Sequence, residues 1–245
     1  MLFSIITVVY NGADTIGPTI ESVNAQSFRD FEHIIVDGLS KDGTCDLVRK
    51  LANPANLRLQ SEPDKGIYDA MNKGLKLASG DYVLFLNAGD RLHEAETLAT
   101  VAQLIKANNF PGVVYGQTDI VDSEGKRIGS RHLTAPETLT ADSFKWGMLV
   151  CHQAFYALRS ITEPYNLEYR FSADFDWCIR VLKRSQSNVY AGCVLADYLS
   201  EGATTNNRTA SLRERAAIMA KYYGFFPTLL RHIGFALRAL KRRLS

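Results

Sequence analysis

Residues 81–90, DYVLFLNAGD, constrain the fold of this chain more than any other segment. The run of large apolar residues at 82–86 cannot face water, so it predicts a strand buried between two layers. The polar tip at 87–90 follows the carboxyl end of that strand, where open α/β sheets bind their ligands. The amide of Asn87 and the carboxylate of Asp90 suit a hard cation that carries phosphate oxygens, so the tip indicates diphosphate chemistry.

The first 110 residues alternate between apolar strands and amphipathic helices. Short connections between such elements favour a mostly parallel, doubly wound α/β sheet flanked by helices. We predict strands at 4–9, 31–36, 57–60 and 82–87, with helices that end near residues 26, 51, 78 and 107.

The pattern changes after residue 112. Segments 113–121 and 127–132, joined by a turn at Gly125, predict a small antiparallel hairpin at the edge of the sheet. The remaining predicted elements are strands at 153–158 and 188–195, a helix at 172–184 and a helical tail that breaks near Gly224.

The composition, with 46% hydrophobic and 22% charged residues, is ordinary for a soluble globular protein. A net charge of +2 gives no argument for a nucleic-acid partner, and we expect none. The four cysteines form no CxxC pair, which favours reduced structural residues. Residues 1–6 lack a basic signal-peptide start, and no apolar run reaches the roughly 20 residues that span a bilayer. We therefore expect a cytoplasmic protein.

Four polar clusters fall at the ends of predicted strands, and in a parallel sheet these ends lie on one edge. Neither a GxGxxG nor a GxxxxGK[ST] loop is present to cradle phosphates, so metal and side chains would have to hold a diphosphate. The clusters are residues 7–11, 37–44, 62–72 and 87–90.

The same segments resemble family 2 glycosyltransferases, which have the Rossmann-like GT-A fold. The resemblance is close over residues 4–90 and continues to about residue 199. It implies a donor-binding half at 1–110, an acceptor-binding half at 111–210 and a separate tail at 211–245. The motifs are ITVVYN, EHIIVDGLSKDGT, SEPDKGIYDAMNKG, FLNAGD, CHQAFY and FSADFDWCIR.

The resemblance implies an inverting transferase. It would move a sugar from a nucleotide diphosphate, most simply UDP, to a hydroxyl of a glycan or lipid-linked glycan in cell-surface polysaccharide synthesis. The residues implied in the nucleotide pocket are Thr7, Val8 and Tyr10 around the base, Asp37 on the base or ribose, and Asp64 and Asp69 near the wall.

The metal corner departs from the family pattern. The family often has two acids there, whereas this chain has Asn87 and Asp90, so Asp90 is the implied ligand for Mg²⁺ or Mn²⁺ and the donor would supply most other ligands. Gly38 similarly replaces a second acid after the second strand. His152 matches a family position near the acceptor or the diphosphate. A purely structural role for His152 is an equally good interpretation of the sequence.

Asp174 matches the catalytic base of the family. Asp176 lies about 200° away around the same helix, so it cannot share that task and is expected to pair with Arg180 four residues later. Without the resemblance, Asp174 reads as a helix N-terminal charge. Trp146 fits an acceptor wall or core packing equally well.

Two other functions remain open at this point. One is a nucleotidyltransferase, although the chain lacks a basic loop near its start to hold a triphosphate. The other is a non-catalytic sugar-nucleotide-binding protein with a decayed metal motif. The sequence also leaves homo-oligomerisation open.

The end of the chain, 225–245, interleaves basic and apolar residues and has no acid. This pattern predicts an amphipathic helix that lies on an anionic leaflet, at the cytoplasmic face of a membrane. The competing interpretation is a helix that packs on the domain or in a dimer.

Overall fold

The computed structural model describes residues 1–200 and 208–244, with side chains given for 1–200 and 209–235. The strands are β1 (Phe3–Val9), β2 (Phe31–Asp37), β3 (Leu57–Ser61), β4 (Tyr82–Phe85), β5 (Arg91–Leu92), β6 (Val113–Val121), β7 (Arg127–Ser130), β8 (Phe155–Leu158) and β9 (Asn188–Leu199). The helices are α1 (Ile16–Asn24), α2 (Thr44–Leu51), α3 (Ile67–Leu77), α4 (Thr97–Ala107), α5 (Ala173–Arg184), α6 (Arg208–Tyr223) and α7 (Phe225–Leu244). Short 3₁₀ turns lie at Ala141–Trp146, His152–Ala154 and Arg159–Ile161.

One mixed sheet runs through the described residues in the order β3-β2-β1-β4-β8-β6-β9-β5, with β7 paired to β6. Strands β3, β2, β1 and β4 are parallel, and every residue of β1, β2 and β4 is buried. Burial on both faces follows from their continuous apolar runs, which need helices above and below. The α/β, mostly parallel architecture predicted from the sequence is confirmed.

The second half of the sheet differs from the prediction in detail. β6 and β7 do form an antiparallel hairpin, but β6 lies inside the sheet, between β8 and β9. β9 also extends to Leu199 instead of ending at residue 195, because residues 196–199 pair with β6 through their backbones. Backbone pairing between distant segments leaves no mark in local side-chain periodicity, which explains both differences.

The buried ring of Trp177 joins α5 to the sheet. It meets Phe85 of β4 and Phe155 of β8 edge-on, at centroid distances of 5.4 and 5.9 Å. It stacks on Tyr165 at 5.2 Å, and its Nε1 donates to the Glu163 carbonyl at 2.8 Å. Helix α5 is therefore held with its first turn at a fixed place on the sheet edge.

Helix α6 packs against the chain just before α5. The Glu214 carboxylate accepts the backbone N–H groups of Arg170 and Phe171 at 2.9 and 2.8 Å. The break expected near Gly224 is confirmed, with α6 ending at Tyr223 and α7 beginning at Phe225. Among the helices of the described residues, none is long and apolar enough to cross a membrane.

Two mid-helix glycines give a matched test of the close contact between α3 and β1. A Cβ at Gly74 of α3 would lie 2.3 Å from Cγ2 of the buried Ile6, whereas a Cβ at Gly234 of α7 would meet nothing within 4 Å. Gly74→Ala should lower the free energy of unfolding by about 1–3 kcal/mol through overpacking. Gly234→Ala should leave it unchanged or raise it by up to about 1 kcal/mol through helix propensity. Urea denaturation of both variants measures their free energies of unfolding. Equal changes in the two variants would show that the close contact between Gly74 and Ile6 does not restrict the residue at position 74.

Candidate active site

The carboxyl ends of β1 and β4, the turn at His152, the start of α5 and one side of α6 line a cleft of about 640 Å³. These five segments are distant in sequence. The ends of β1 and β4 meet here because parallel strands end on one edge of the sheet. The ionisable residues lining the cleft are Tyr10, Asp90, Arg131, His132, Cys151, His152, Asp174, Tyr198 and Arg215.

Asp174 lies in the first turn of α5, largely shielded from water. The Tyr68 hydroxyl donates to its Oδ1 at 3.1 Å, and Nδ1 of His152 lies 3.5 Å from its Oδ2. Burial acts to raise the pKa of Asp174, but the hydrogen bond and charge of His152, followed by Arg215 and Tyr68, outweigh it. The pKa of Asp174 is therefore below its ordinary value, and the side chain is a carboxylate at neutral pH.

His152 connects Asp174 to the end of β4. Nδ2 of the Asn87 amide lies 3.2 Å from Nε2 of the imidazole. The other ring nitrogen, Nδ1, faces the Asp174 carboxylate. His152 thus lies between the polar tip of β4 and the first turn of α5 and contacts both.

Asp90 is 3% exposed and is held by neutral donors. Nε2 of Gln153 donates to its Oδ2 at 2.7 Å, and the Leu199 N–H donates to its Oδ1 at 3.0 Å. Gly89 adopts φ 98°, and its N–H donates to Thr19 Oγ1 at 2.9 Å, which fixes the turn that leads into Asp90. Burial raises the pKa of Asp90 to about 6, because these hydrogen bonds only partly replace water.

The corner formed by Asn87 and Asp90 fits a divalent cation that arrives with phosphate. Oδ1 of Asn87 is buried and has no hydrogen-bond partner in the described part of the chain. The Asp90 carboxylate is desolvated, and a cation would favour its charged form. Among the described side chains, those of residues 1–200 and 209–235, no group of three His, Cys, Asp or Glu could hold a metal ion. A Mg²⁺ or Mn²⁺ ion would therefore take Asn87 Oδ1 and Asp90 from the protein and its other ligands from a diphosphate.

The residues expected around a nucleotide base lie at two depths. Val8 and Tyr10 line the cleft, and Tyr10 is 65% exposed. Thr7 is fully buried beneath them, with its Oγ1 2.9 Å from Nε2 of His33, so it does not reach the cleft surface.

Asp37 lies buried at the end of β2 with one carboxylate oxygen unsatisfied. Its Oδ2 accepts the Ser40 N–H at 3.0 Å and the Ser61 hydroxyl at 2.6 Å. Its Oδ1 is buried without a partner in the described residues. Burial acts to raise the pKa of Asp37, but these hydrogen bonds lower it overall, so the group is ionised. Asp37 is not among the residues that line the cleft, so a ligand bond to this oxygen is a matter for the proposed function.

Asp64 and Asp69 lie outside the lining of the cleft. Asp64 Oδ1 accepts the Gly66 N–H at 2.8 Å, and a Cβ at Gly38 would lie only 2.5 Å from Asp64 Oδ2. A second carboxylate thus lies against the residue after Asp37, although position 38 itself is glycine. Asp69 accepts the Lys65 N–H at 2.9 Å at the start of α3.

Comparison with known proteins identifies the family. The family model for glycosyl transferase family 2 matches residues 4–163. The chain belongs to glycosyltransferase family 2. A PGL/p-HBAD biosynthesis glycosyltransferase of Mycobacterium bovis (strain BCG / Pasteur 1173P2) is 36% identical over 211 residues, which cover 84% of this chain and 79% of that protein.

The solved structures that resemble this family 2 glycosyltransferase confirm the GT-A fold. S. aureus TarS 1–349 in complex with UDP-GlcNAc has a TM-score of 0.72 at 21% identity, covering 96% of this chain and 73% of that one. The mannosyltransferase PcManGT from Pyrobaculum calidifontis, in complex with GDP-Man and Mn²⁺, has a TM-score of 0.65 at 18% identity, covering 99% and 79%.

The structure also adds residues to the site that the sequence did not single out. Nothing in the sequence pattern distinguishes Tyr68 of α3, yet its hydroxyl bonds Asp174. Gln153 lies beside His152 in the CHQAFY motif, and the structure shows that its side chain holds Asp90. Arg215 lies in the tail assigned to 211–245, where nothing in the local pattern distinguishes it from other basic residues.

Asp176 faces away from the cleft, as the helical spacing predicts. Nε of Arg180 donates to its Oδ2 at 2.7 Å, which confirms the expected pair. The Tyr222 hydroxyl donates to its Oδ1 at 2.8 Å, so Asp176 joins α5 to α6.

Proposed function

We propose that this family 2 glycosyltransferase moves a sugar from a UDP-sugar to a hydroxyl of a glycan or lipid-linked glycan, with inversion at the anomeric carbon. We place the reaction in cell-surface polysaccharide synthesis. The observation that carries the proposal is the ionised Asp174 carboxylate, which lies in the same cleft as the Asn87–Asp90 corner. Membership of the family favours glycosyl transfer over nucleotidyl transfer, and an ionised base in the cleft favours an enzyme over a binding protein.

Asp174 acts as the general base. Its carboxylate takes the proton of the acceptor hydroxyl while that oxygen attacks the anomeric carbon. The bond from the anomeric carbon to the diphosphate oxygen breaks, and its electron pair leaves with UDP. A single displacement of this kind inverts the configuration. Tyr68 and His152 fix the carboxylate from both oxygens, which orients it for proton transfer.

The nucleoside binds against Val8 and Tyr10, over the end of β1. Asp37 Oδ1, buried without a partner among the described residues, accepts an N–H of the base or a ribose hydroxyl. Asp64 and Asp69 lie near the wall of this pocket, behind the residues that line it, and Thr7 supports it from below. The UDP-GlcNAc bound by the structural neighbour TarS supports UDP as the nucleotide.

Asn87 and Asp90 hold the Mg²⁺ or Mn²⁺ that accompanies the donor. When bound, the ion neutralises charge on the leaving diphosphate. The Mn²⁺ in the neighbouring mannosyltransferase structure supports this assignment, as does the unsatisfied Asn87 oxygen. His152 lies between this corner and the base, next to both the diphosphate and the acceptor.

Helix α7 attaches the enzyme to the cytoplasmic face of a membrane. Phe225, Phe226, Leu230 and Ile233 are 50–76% exposed, and they recur on one side of the helix. Arg231 lies over the ring of Trp146 at 5.2 Å, which fixes this helix beside the 3₁₀ turn Ala141–Trp146. An exposed apolar stripe with a basic end and no acid after Glu214 suits an anionic leaflet, where a lipid-linked acceptor also lies.

The base assignment predicts different results for two neighbouring carboxylates. Asp174→Asn should keep donor affinity and lower kcat by roughly 10²-fold or more, the usual loss when a general base is removed. Asp176→Asn should lower stability, because it breaks the bonds to Arg180 and Tyr222, but folded protein should retain transfer. Transfer assays and thermal unfolding of both variants test this. Transfer that survives Asp174→Asn and disappears in folded Asp176→Asn would assign the base to Asp176.

The metal assignment predicts that UDP and the cation bind together. Mn²⁺ should tighten UDP binding to the wild type by at least about tenfold, or 1.4 kcal/mol. Uridine has no diphosphate, so its affinity should not respond to Mn²⁺. In Asp90→Asn the effect of Mn²⁺ on UDP should disappear. Calorimetry of both proteins, with and without Mn²⁺, measures these affinities, and equal UDP affinity in all four titrations would remove the metal role.

The membrane assignment predicts salt-sensitive binding to vesicles. The full-length enzyme should cosediment with anionic vesicles at low salt, and less at high salt, because ionic screening weakens the attraction of basic residues. Phe225→Ala with Phe226→Ala should weaken this binding. The control is Ile128→Ala with Leu167→Ala, two residues exposed by 56% and 51% elsewhere on the surface. If the wild-type enzyme does not cosediment with anionic vesicles at low salt, the membrane role fails and α7 serves only in packing.

A further inference from the structure

Arg215 brings a positive charge into the cleft from outside the matched family region. The family model ends at residue 163, and α6 begins 45 residues later. Arg215 nevertheless lines the same cleft as Asp90, His152 and Asp174.

The Arg215 guanidinium has an unsatisfied donor. Its Nε is buried and has no hydrogen-bond partner in the described part of the chain. Glu214, its neighbour in α6, is already occupied by the backbone N–H groups of Arg170 and Phe171. A buried donor without an acceptor is costly, so this nitrogen fits a site that a ligand completes.

The electrostatic influence of Arg215 reaches the reacting end of the cleft. After burial and His152, its charge is among the causes that determine the pKa of Asp174. It also acts on the pKa of Tyr68, although burial and Asp174 dominate there and raise that pKa. Arg215 therefore lies within electrostatic range of the base and of its hydrogen-bond donor.

Among the described residues, the protein groups at the opposite corner of the cleft offer no positive charge to a diphosphate. This corner has the single carboxylate Asp90, whose two oxygens already accept bonds from Gln153 and Leu199. Arg131 also lines the cleft, but its Nη2 donates to the Met148 carbonyl at 2.9 Å. The Nε of Arg215 has no partner among the described residues, and a guanidinium matches the geometry of phosphate oxygens.

We propose that Arg215 binds the diphosphate of the donor and stabilises it as the leaving group. The inference rests on the proposed function, since it assigns a residue to that reaction. As the bond to the anomeric carbon breaks, the electron pair passes to the terminal phosphate oxygen. Arg215 stabilises this charge by hydrogen bonds and transfers no proton. Helix α6 thus completes a phosphate site that the sheet edge alone leaves short of positive charge.

Titration of UDP and uridine separates diphosphate binding from nucleoside binding. Arg215→Gln should weaken UDP binding by about 10- to 100-fold, the usual loss for a hydrogen bond to a charged group, and leave uridine affinity unchanged. Arg215→Lys should recover part of the UDP affinity, because it keeps the charge and loses the planar fork. The control is Arg213→Gln, an exposed arginine of the same helix, which should change neither affinity.

Transfer kinetics and a second nucleotide complete the test. At saturating donor, Arg215→Gln should lower kcat as well, since the charge on the leaving group grows in the transition state. The inference fails if folded Arg215→Gln loses the same factor of affinity for UDP and for uridine, or if both affinities stay unchanged. The proposed function stands in either case, provided that the wild type binds UDP more tightly than uridine. If wild type binds neither UDP, GDP nor pyrophosphate, both fail.

Discussion

A column of aromatic rings connects the core of the protein to the proposed base. Trp177 stacks on Tyr165, Tyr165 stacks on Tyr68 at 5.4 Å, and the Tyr68 hydroxyl donates to Asp174. Each ring is buried, so none can move without opening a cavity, and such packing is stiff. The position of the carboxylate therefore depends on core packing as much as on its own helix. Substitutions deep in this column would therefore alter the rate of transfer by displacing the Asp174 carboxylate, although the substituted residues contact no substrate.

The cleft treats its two acids in opposite ways. Both Asp90 and Asp174 are shielded from water, yet the pKa of Asp90 rises to about 6 while that of Asp174 falls. The difference lies in their partners: Asp90 accepts hydrogen bonds from neutral amides and feels His152 only through space, whereas Asp174 contacts His152 directly and also feels the charge of Arg215. Environments that separate two carboxylates in this way commonly give them different tasks. The Asp174 carboxylate is ionised without any ligand, which suits a general base. The charged form of Asp90 becomes favourable only when a cation binds beside it, which suits a metal ligand.

The sequence predicted the elements that local pattern controls. The apolar run at 82–86 and its polar tip located β4 and the cleft edge, and helical spacing separated Asp174 from Asp176. The family resemblance supplied the roles proposed for these residues, which spacing alone does not reveal. Long-range features were not predictable in the same way. The interior place of β6 depends on pairing with β9, and the contact of Tyr68 with Asp174 joins residues 106 positions apart.

Helix α6 belongs to two parts of the protein at once. Through Ser211 and Glu214 it bonds to the residues that lead into α5, and through Tyr222 it bonds to Asp176. Its far end continues, after Gly224, into the helix with the exposed apolar stripe. The tail is therefore not an interchangeable appendage. A chimaera that grafted a relative's tail onto residues 1–210 would replace wall residues of the cleft, so the proposed membrane helix and the proposed leaving-group site are expected to evolve together.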